Sequence, residues 1–181
     1  AILAALAADH GMAARIEPAV EIDGDVVSSS RIRTALVAGD VAAANRLLGY
    51  RWFVGGTVGH GDKRGRTLGF PTANLRLPDG CGLGHGIYAV RAALDDGRVL
   101  DGVASYGRRP TFDDGPPLLE TFLFDFAGDL YGRRLEVEFV DWIRGEERFG
   151  SADELVAAMN RDAGQARAAL AAPPAERSFI G

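Results

Sequence analysis

GGTVGHGDKRGRTLGFPTAN, residues 55–74, decides how this chain is read. Six glycines are spaced through it, Lys63, Arg64 and Arg66 sit at its centre, and it ends on Pro71-Thr72-Ala73-Asn74. Glycine lets backbone N–H groups come close to an anion, and the cations neutralise it. The Thr72 hydroxyl and the Asn74 amide add hard oxygen ligands of the kind Mg²⁺ takes beside phosphate oxygens and water. These are the parts of a site for a nucleoside triphosphate and its metal, and so for phosphoryl transfer. It is not a Walker loop, because GxxxxGK(S/T) occurs nowhere in the chain. A Rossmann turn needs a helix that opens directly after its glycines, whereas Phe70-Pro71 stops one. The HRD and DFG motifs of protein kinases are absent as well. On spacing alone an ordinary Gly-rich hairpin reads equally well.

Around this stretch, 181 residues make one ordinary domain, or a domain with a fragment attached. A hydrophobic share of 47% supplies a core, and 25% charged residues supply a solvated surface. The net charge of −5 argues against a nucleic-acid partner, which calls for a basic excess. Cys81, the single cysteine, permits no internal disulfide and fits a reducing, cytoplasmic setting. No apolar run reaches the ~18 residues of a membrane span and no signal peptide is visible, so no membrane partner is expected. The chain opens on Ala1 in mid-pattern, as a truncated or processed product would.

Residues 1–9 read as the end of an amphipathic helix closed by Gly11. Ile16, Val20 and Ile22 alternate with glutamates as a short strand ended by Asp23-Gly24, whose partners are expected upstream of this chain. Ser28–Ser30 cap a helix running to Val37, and Asp40 caps a second one that Gly49 ends after Leu48. From Phe53 the chain turns β-rich. Phe53–Gly59 forms a strand, and Leu75–Gly86 is turn-rich. Ile87–Leu94 and Arg98–Tyr106 flank the Asp95–Gly97 turn. Glu120–Phe126 and Leu135–Val140 form another antiparallel pair, with Glu136 and Glu138 facing water. Short strands at hairpin spacing predict a closed antiparallel barrel. Ser151-Ala152-Asp153-Glu154 opens a long helix to about Leu170, and Pro173-Pro174 leads into a mobile tail.

The run HGDKRGRTLGFPTAN resembles the signature of the riboflavin kinase domain of bacterial bifunctional riboflavin kinase/FAD synthetases. GIYAV at Gly86–Val90, SYGRRPTF at Ser105–Phe112, ETFLFDFAGDLYG at Glu120–Gly132 and WIRGEERF at Trp142–Phe149 continue the likeness in order, over about residues 50–170. The resemblance implies a six-stranded, Greek-key-like antiparallel barrel with a long C-terminal helix, and ATP-dependent, Mg²⁺-dependent conversion of riboflavin to FMN and ADP. It also assigns Ser28–Arg33, SSSRIR, similar to an SSTxIR segment, to the phosphate-binding part of an FMN adenylyltransferase. Ser29, Ser30, Arg31 and Arg33 are its candidates, although a plain Ser-capped helix reads the same way. No HxGH motif precedes it, so residues 1–48 are expected to be a C-terminal adenylyltransferase remnant, joined to a kinase domain at 49–181. The other half of the adenylyltransferase is expected to be missing from this chain.

By the same resemblance Glu120 is the base that accepts the proton of the ribityl 5′-hydroxyl. Period two places it beside Phe122, Phe124 and Phe126, where desolvation raises a carboxylate's pKa, unless it lies at a strand end and reaches solvent. Thr72 and Asn74 are the metal ligands. Gly59, Gly61, Lys63, Gly65, Arg66, Thr72 and Tyr131 are candidates for ATP and its phosphates, Tyr131 near the adenine. Trp142, Arg144 and Phe149, with Arg109 and Thr111, are the flavin candidates, though Trp142 and Phe149 also fit a core. Ser105 and Gly145 depart from the family's usual Asn and Pro. Two other functions stay open: part of a full bifunctional FAD synthetase, or a non-catalytic flavin-binding module.

Overall fold

Alternation of apolar and polar side chains folds the β region into a barrel around a buried core. The computed structural model describes residues 2–61, 65, 68–78, 80–108, 117–173 and 176–180. Its strands are β3 (Phe53–Thr57), β4 (Ala73–Arg76), β5 (Gly86–Leu94), β6 (Val99–Gly107), β7 (Leu118–Leu123) and β8 (Arg134–Arg144). They form one antiparallel sheet in the order β3-β8-β5-β6-β7-β4. The two edges meet where the Gly59 N–H donates to the Asn74 carbonyl at 2.8 Å, so the sheet is a nearly closed barrel. Leu75, Tyr88, Val90, Leu119, Leu123, Leu135, Val137 and Phe139 fill the interior. On the outer wall α4 (Ala152–Ala171) lays Ala166 and Leu170 against Ala89, Val103 and Phe124. Ser151 caps that helix, its Oγ accepting the Glu154 N–H, while the Glu154 carboxylate accepts the Gly150 N–H.

Before the barrel come α1 (Ile2–Asp9), β1 (Glu21–Ile22), β2 (Asp25–Val26), α2 (Ser29–Val37) and α3 (Val41–Leu48). Asp40 caps α3 and Gly49 closes it with a left-handed φ of 76°, as the sequence implies. Leu36, Val41 and Ala44 are buried in the same core as the barrel interior, so packing joins residues 36–48 to the barrel. Gly39, also left-handed, admits the Trp142 ring so closely that a β-carbon there would stand 2.3 Å from it.

Four expectations need correction. The strand before Asp23-Gly24 is only Glu21–Ile22, and its partner is β2, just downstream, because the left-handed Asp23 and Gly24 make a two-residue turn. The strands β7 and β8 do not pair: β7 lies between β6 and β4, and β8 between β3 and β5. Glu138 does not face water. It is fully buried, ion-paired to Arg51 at 3.1 Å, and accepts hydrogen bonds from Ser178 Oγ at 2.7 Å and Phe179 N–H at 2.8 Å. Those same bonds bind the C-terminal tail, which the sequence assigns to a mobile end. Arg51 N–H donates to the Arg177 carbonyl, and Phe179 packs edge-on to Tyr50.

Candidate active site

The site grows from the seam of the barrel. Asn74 on β4 is the cross-strand partner of Glu120 on β7, and Glu120 is the partner of Ser105 on β6. Directly opposite residues share a face, here the one turned away from the interior. Asn74 is buried, and its Nδ2 donates to the Thr72 carbonyl at 3.3 Å. Its Oδ1 is buried without a hydrogen-bond partner among the described residues. A buried acceptor left unpaired costs about 1–3 kcal/mol, so this oxygen is placed for something other than the fold.

The glycines fold around it. A β-carbon at Gly61 would stand 2.5–2.9 Å from the Asn74 carboxamide, so only glycine leaves that carboxamide where it is. Gly65 lies just as close to the Phe70 carbonyl and accepts the Phe70 N–H at 2.8 Å, which bends the loop back toward Thr72. Thr72, Asn74, Gly59, Gly61, Gly65 and Glu120 are thus gathered at one place. Tyr131 joins them from the turn before β8, where Gly132 N–H donates to the Val58 carbonyl. Its ring stacks on His60, centroids 4.1 Å apart. His60, part of the quoted signature, is a neighbour the sequence reading gave no role. Lys63, Arg66, Arg109 and Thr111 lie outside the described residues.

Beside Glu120 opens a cleft of about 550 Å³. Its floor is Phe122 and Phe124, one wall is Leu68–Phe70, and the other is the α4 stripe Val156, Asn160, Ala163, Gly164 and Arg167. The Phe70 and Phe122 rings meet edge-on at 5.0 Å. Arg167 lies 4.1 Å above Phe124 and pairs with Asp125, whose carboxyl it holds below the ordinary carboxylate range. The apolar face beside Glu120 is legible in the sequence, but the helix wall is not, because α4 reads there only as a packing helix.

The proposed flavin residues scatter. Arg144 forms a two-pronged ion pair with buried Asp162 of α4, at 2.8 and 2.7 Å, which raises its already high pKa and ties β8 to the helix. Phe149 sits under its guanidinium at 5.6 Å. Trp142 is placed elsewhere, packing edge-on to Tyr88 and covering Gly39 and Gly86. In the N-terminal part Ser28 caps α2, and Arg31 pairs with Asp25 at 2.6 Å. Arg31 lines a small pocket of about 300 Å³ with Asp23, Asp25, Ser30 and Arg46.

The family profile described as flavokinase, riboflavin kinase, matches residues 48–170. The chain belongs to the riboflavin kinase family. A bifunctional riboflavin kinase/FMN adenylyltransferase of Pseudomonas fluorescens is 46% identical over 170 residues, 93% of this chain and 54% of that protein. The chain spans about half the length of the curated relatives it matches. Among solved structures, a protein of Streptococcus pneumoniae described as a macrolide-efflux protein superposes with a TM-score of 0.78 and 37% identity, over 87% of this chain and 52% of that one. The riboflavin kinase of Trypanosoma brucei shares the fold, with a TM-score of 0.53, 22% identity and coverage of 67% and 78%. The riboflavin kinase profile begins within α3 and ends within α4, so it takes in the seam, the cleft and the helix wall. No helix among the described residues is long and apolar enough to cross a membrane.

Proposed function

We propose that this chain transfers the γ-phosphate of ATP to the ribityl 5′-hydroxyl of riboflavin, giving FMN and ADP, with Glu120 as general base. The observation that carries this is the pairing of Glu120 with Asn74 across β7 and β4, beside a cleft lined by three phenylalanines and by Asn160 and Arg167 of the helix. Its volume lies in the range of small-molecule sites, and its edge-on rings suit a flat heteroaromatic ligand. Phe122 follows Glu120 by two residues on the same strand face, about 7 Å along β7. A riboflavin with its ring in the cleft therefore brings its ribityl chain to Glu120.

Glu120 orients the hydroxyl and takes its proton as the oxygen attacks phosphorus. The glycine loop brings backbone N–H groups to the phosphates, and the Tyr131–His60 stack offers a ring face to the adenine. The unpaired Oδ1 of Asn74 fits a Mg²⁺ ligand, a hard oxygen already stripped of water, and Thr72 adds a hydroxyl beside Gly65. When bound, the ion neutralises charge on the transferring phosphoryl group. Lys63 and Arg66 are assigned to the same neutralisation by their place in the signature. Arg144 and Phe149 brace α4 against the barrel, so their part in flavin binding is indirect.

Residues 1–48 are taken as the C-terminal piece of an FMN adenylyltransferase domain, a reading supported by the bifunctional relatives. Ser29, Ser30, Arg31 and Arg33 would face phosphate there, once Arg31 leaves Asp25. A bifunctional FAD synthetase is the activity proposed for the whole protein, in the cytoplasm. The test is incubation with riboflavin, ATP and Mg²⁺ followed by chromatography of the flavins. FMN is the expected product, and Glu120→Gln should lower its rate by about 10²–10⁴-fold while riboflavin still binds. Unchanged turnover would remove Glu120 from the mechanism.

A further inference from the structure

Resting on the placement of the flavin ring in the Phe70–Phe122–Phe124 cleft, we infer that Asp125 is a positioning residue. It holds the Arg167 guanidinium over the Phe124 ring, and from there Arg167 hydrogen-bonds the carbonyl edge of the bound flavin. Arg167 Nη1 and Nη2 donate to the two Asp125 carboxylate oxygens at 3.1 and 3.2 Å, and the guanidinium lies 4.1 Å over the Phe124 ring. A carboxylate on one edge and a ring on one face fix the plane of the fork. Its remaining N–H groups stay available for an acceptor in the cleft that Arg167 lines.

Fold stability does not account for this arrangement. The pair is exposed, Arg167 by 52% and Asp125 by 81%, and exposed ion pairs add little to stability. Asp125 also has a φ of +55°, a left-handed backbone that disfavours any residue with a β-carbon. A strained residue on a weakly stabilising pair is explained by where it puts its carboxylate. The direction follows from β7: Phe124 lies four residues beyond Glu120, about 13 Å along the chain. Arg167 therefore acts at the ring end of the substrate, away from the phosphates. Of the flavin ring's two ends, only the pyrimidinedione carries carbonyl oxygens, the acceptors that a guanidinium takes.

The test is quenching of riboflavin fluorescence by the full chain without nucleotide, for wild type, Asp125→Gly, Arg167→Lys and the double variant. Glycine relieves the left-handed strain, so Asp125→Gly should keep or raise the melting temperature. It should nevertheless weaken riboflavin binding about tenfold, with the loss falling on KM for riboflavin rather than on kcat. Because Asp125 acts through Arg167, the double variant should bind no more weakly than Arg167→Lys alone. Wild-type affinity in Asp125→Gly, a loss that tracks a falling melting temperature, or additive losses in the double variant would each overturn the inference while leaving the flavin cleft intact. A wild-type chain that does not quench riboflavin would remove the cleft assignment, and this inference with it.

Discussion

Gly61→Ala separates the chemistry of the seam from the stability of the barrel. The added methyl would stand 2.5 Å from Asn74 Nδ2, 2.8 Å from Cγ and 2.9 Å from Oδ1. Ordinary contacts begin at about 3.5 Å, so the carboxamide must give by roughly 0.6–1 Å. Turning one side-chain amide off its rotamer costs about 1 kcal/mol, and alanine returns a similar amount by restricting the unfolded chain. The fold should hardly change. Catalysis should change much more, because a displacement of about 1 Å at a reacting centre costs about 10²-fold, or about 2.7 kcal/mol. Steady-state FMN formation, calorimetric titration of ADP with and without Mg²⁺, and urea denaturation on the same preparations make the comparison. Expected are a hundredfold-scale loss in kcat/KM for Mg·ATP, loss of the Mg²⁺ effect on ADP affinity, and an almost unmoved urea midpoint. Wild-type ATP kinetics in Gly61→Ala would refute the role given to the Asn74 oxygen.

Other substitutions test the frame. Arg51→Met should destabilise by about 3–5 kcal/mol, because Glu138 then stays buried without its cation. Arg51→Met with Glu138→Gln should recover much of that in urea denaturation, since glutamine removes the unpaired charge but keeps an oxygen for the Ser178 and Phe179 donors, and equal losses in the single and double variants would refute the pairing. Thr121→Val should leave stability unchanged or raise it by about 1 kcal/mol, since the Thr121 hydroxyl is buried without a partner among the described residues. A marked fall in melting temperature would reveal a partner. Asp95 and Asp96 are held below the ordinary carboxylate value of 3.8, Asp95 by Arg133 and Asp96 by Arg98 and Arg133. Depressed carboxylates stabilise fully above their unfolded values, so this cluster should lose its contribution only as pH falls below about 4. A urea midpoint whose fall already at about pH 5–6 vanishes in Asp96→Asn would contradict that sign.

The barrel was legible because its strands are short, alternating and separated by turns with mechanical reasons, such as the left-handed Gly97 after Asp95-Asp96. The caps of α2, α3 and α4 were legible too, since Ser28, Asp40 and Ser151 act on N–H groups within three residues. Partners across the chain were not. Nothing local to Leu135–Val140 says that β8 pairs with β5, and the family likeness supplies a barrel without supplying that register. Glu138 shows the limit of period two: alternation put it on the outer face, but the tail that covers this face comes 40 residues later. For Trp142 the sequence left a flavin contact and a core place both open, and the two glycines that its ring covers, Gly39 and Gly86, are far from it along the chain. At the site, local spacing brought Thr72 and Asn74 together, and only the strand pairing set Glu120 opposite Asn74.

Just past the end of β3 the sheet is held shut by a bond from Gly59 to the carbonyl of Asn74, the residue whose side chain is proposed as a metal ligand. Opening of the barrel and dispersal of the active site are therefore one motion. The amide proton of Gly59 is a natural reporter of both, and on the proposed metal site its exchange should slow when Mg·ADP is added. The enzyme's readiness to react can be followed at one backbone hydrogen with no turnover at all.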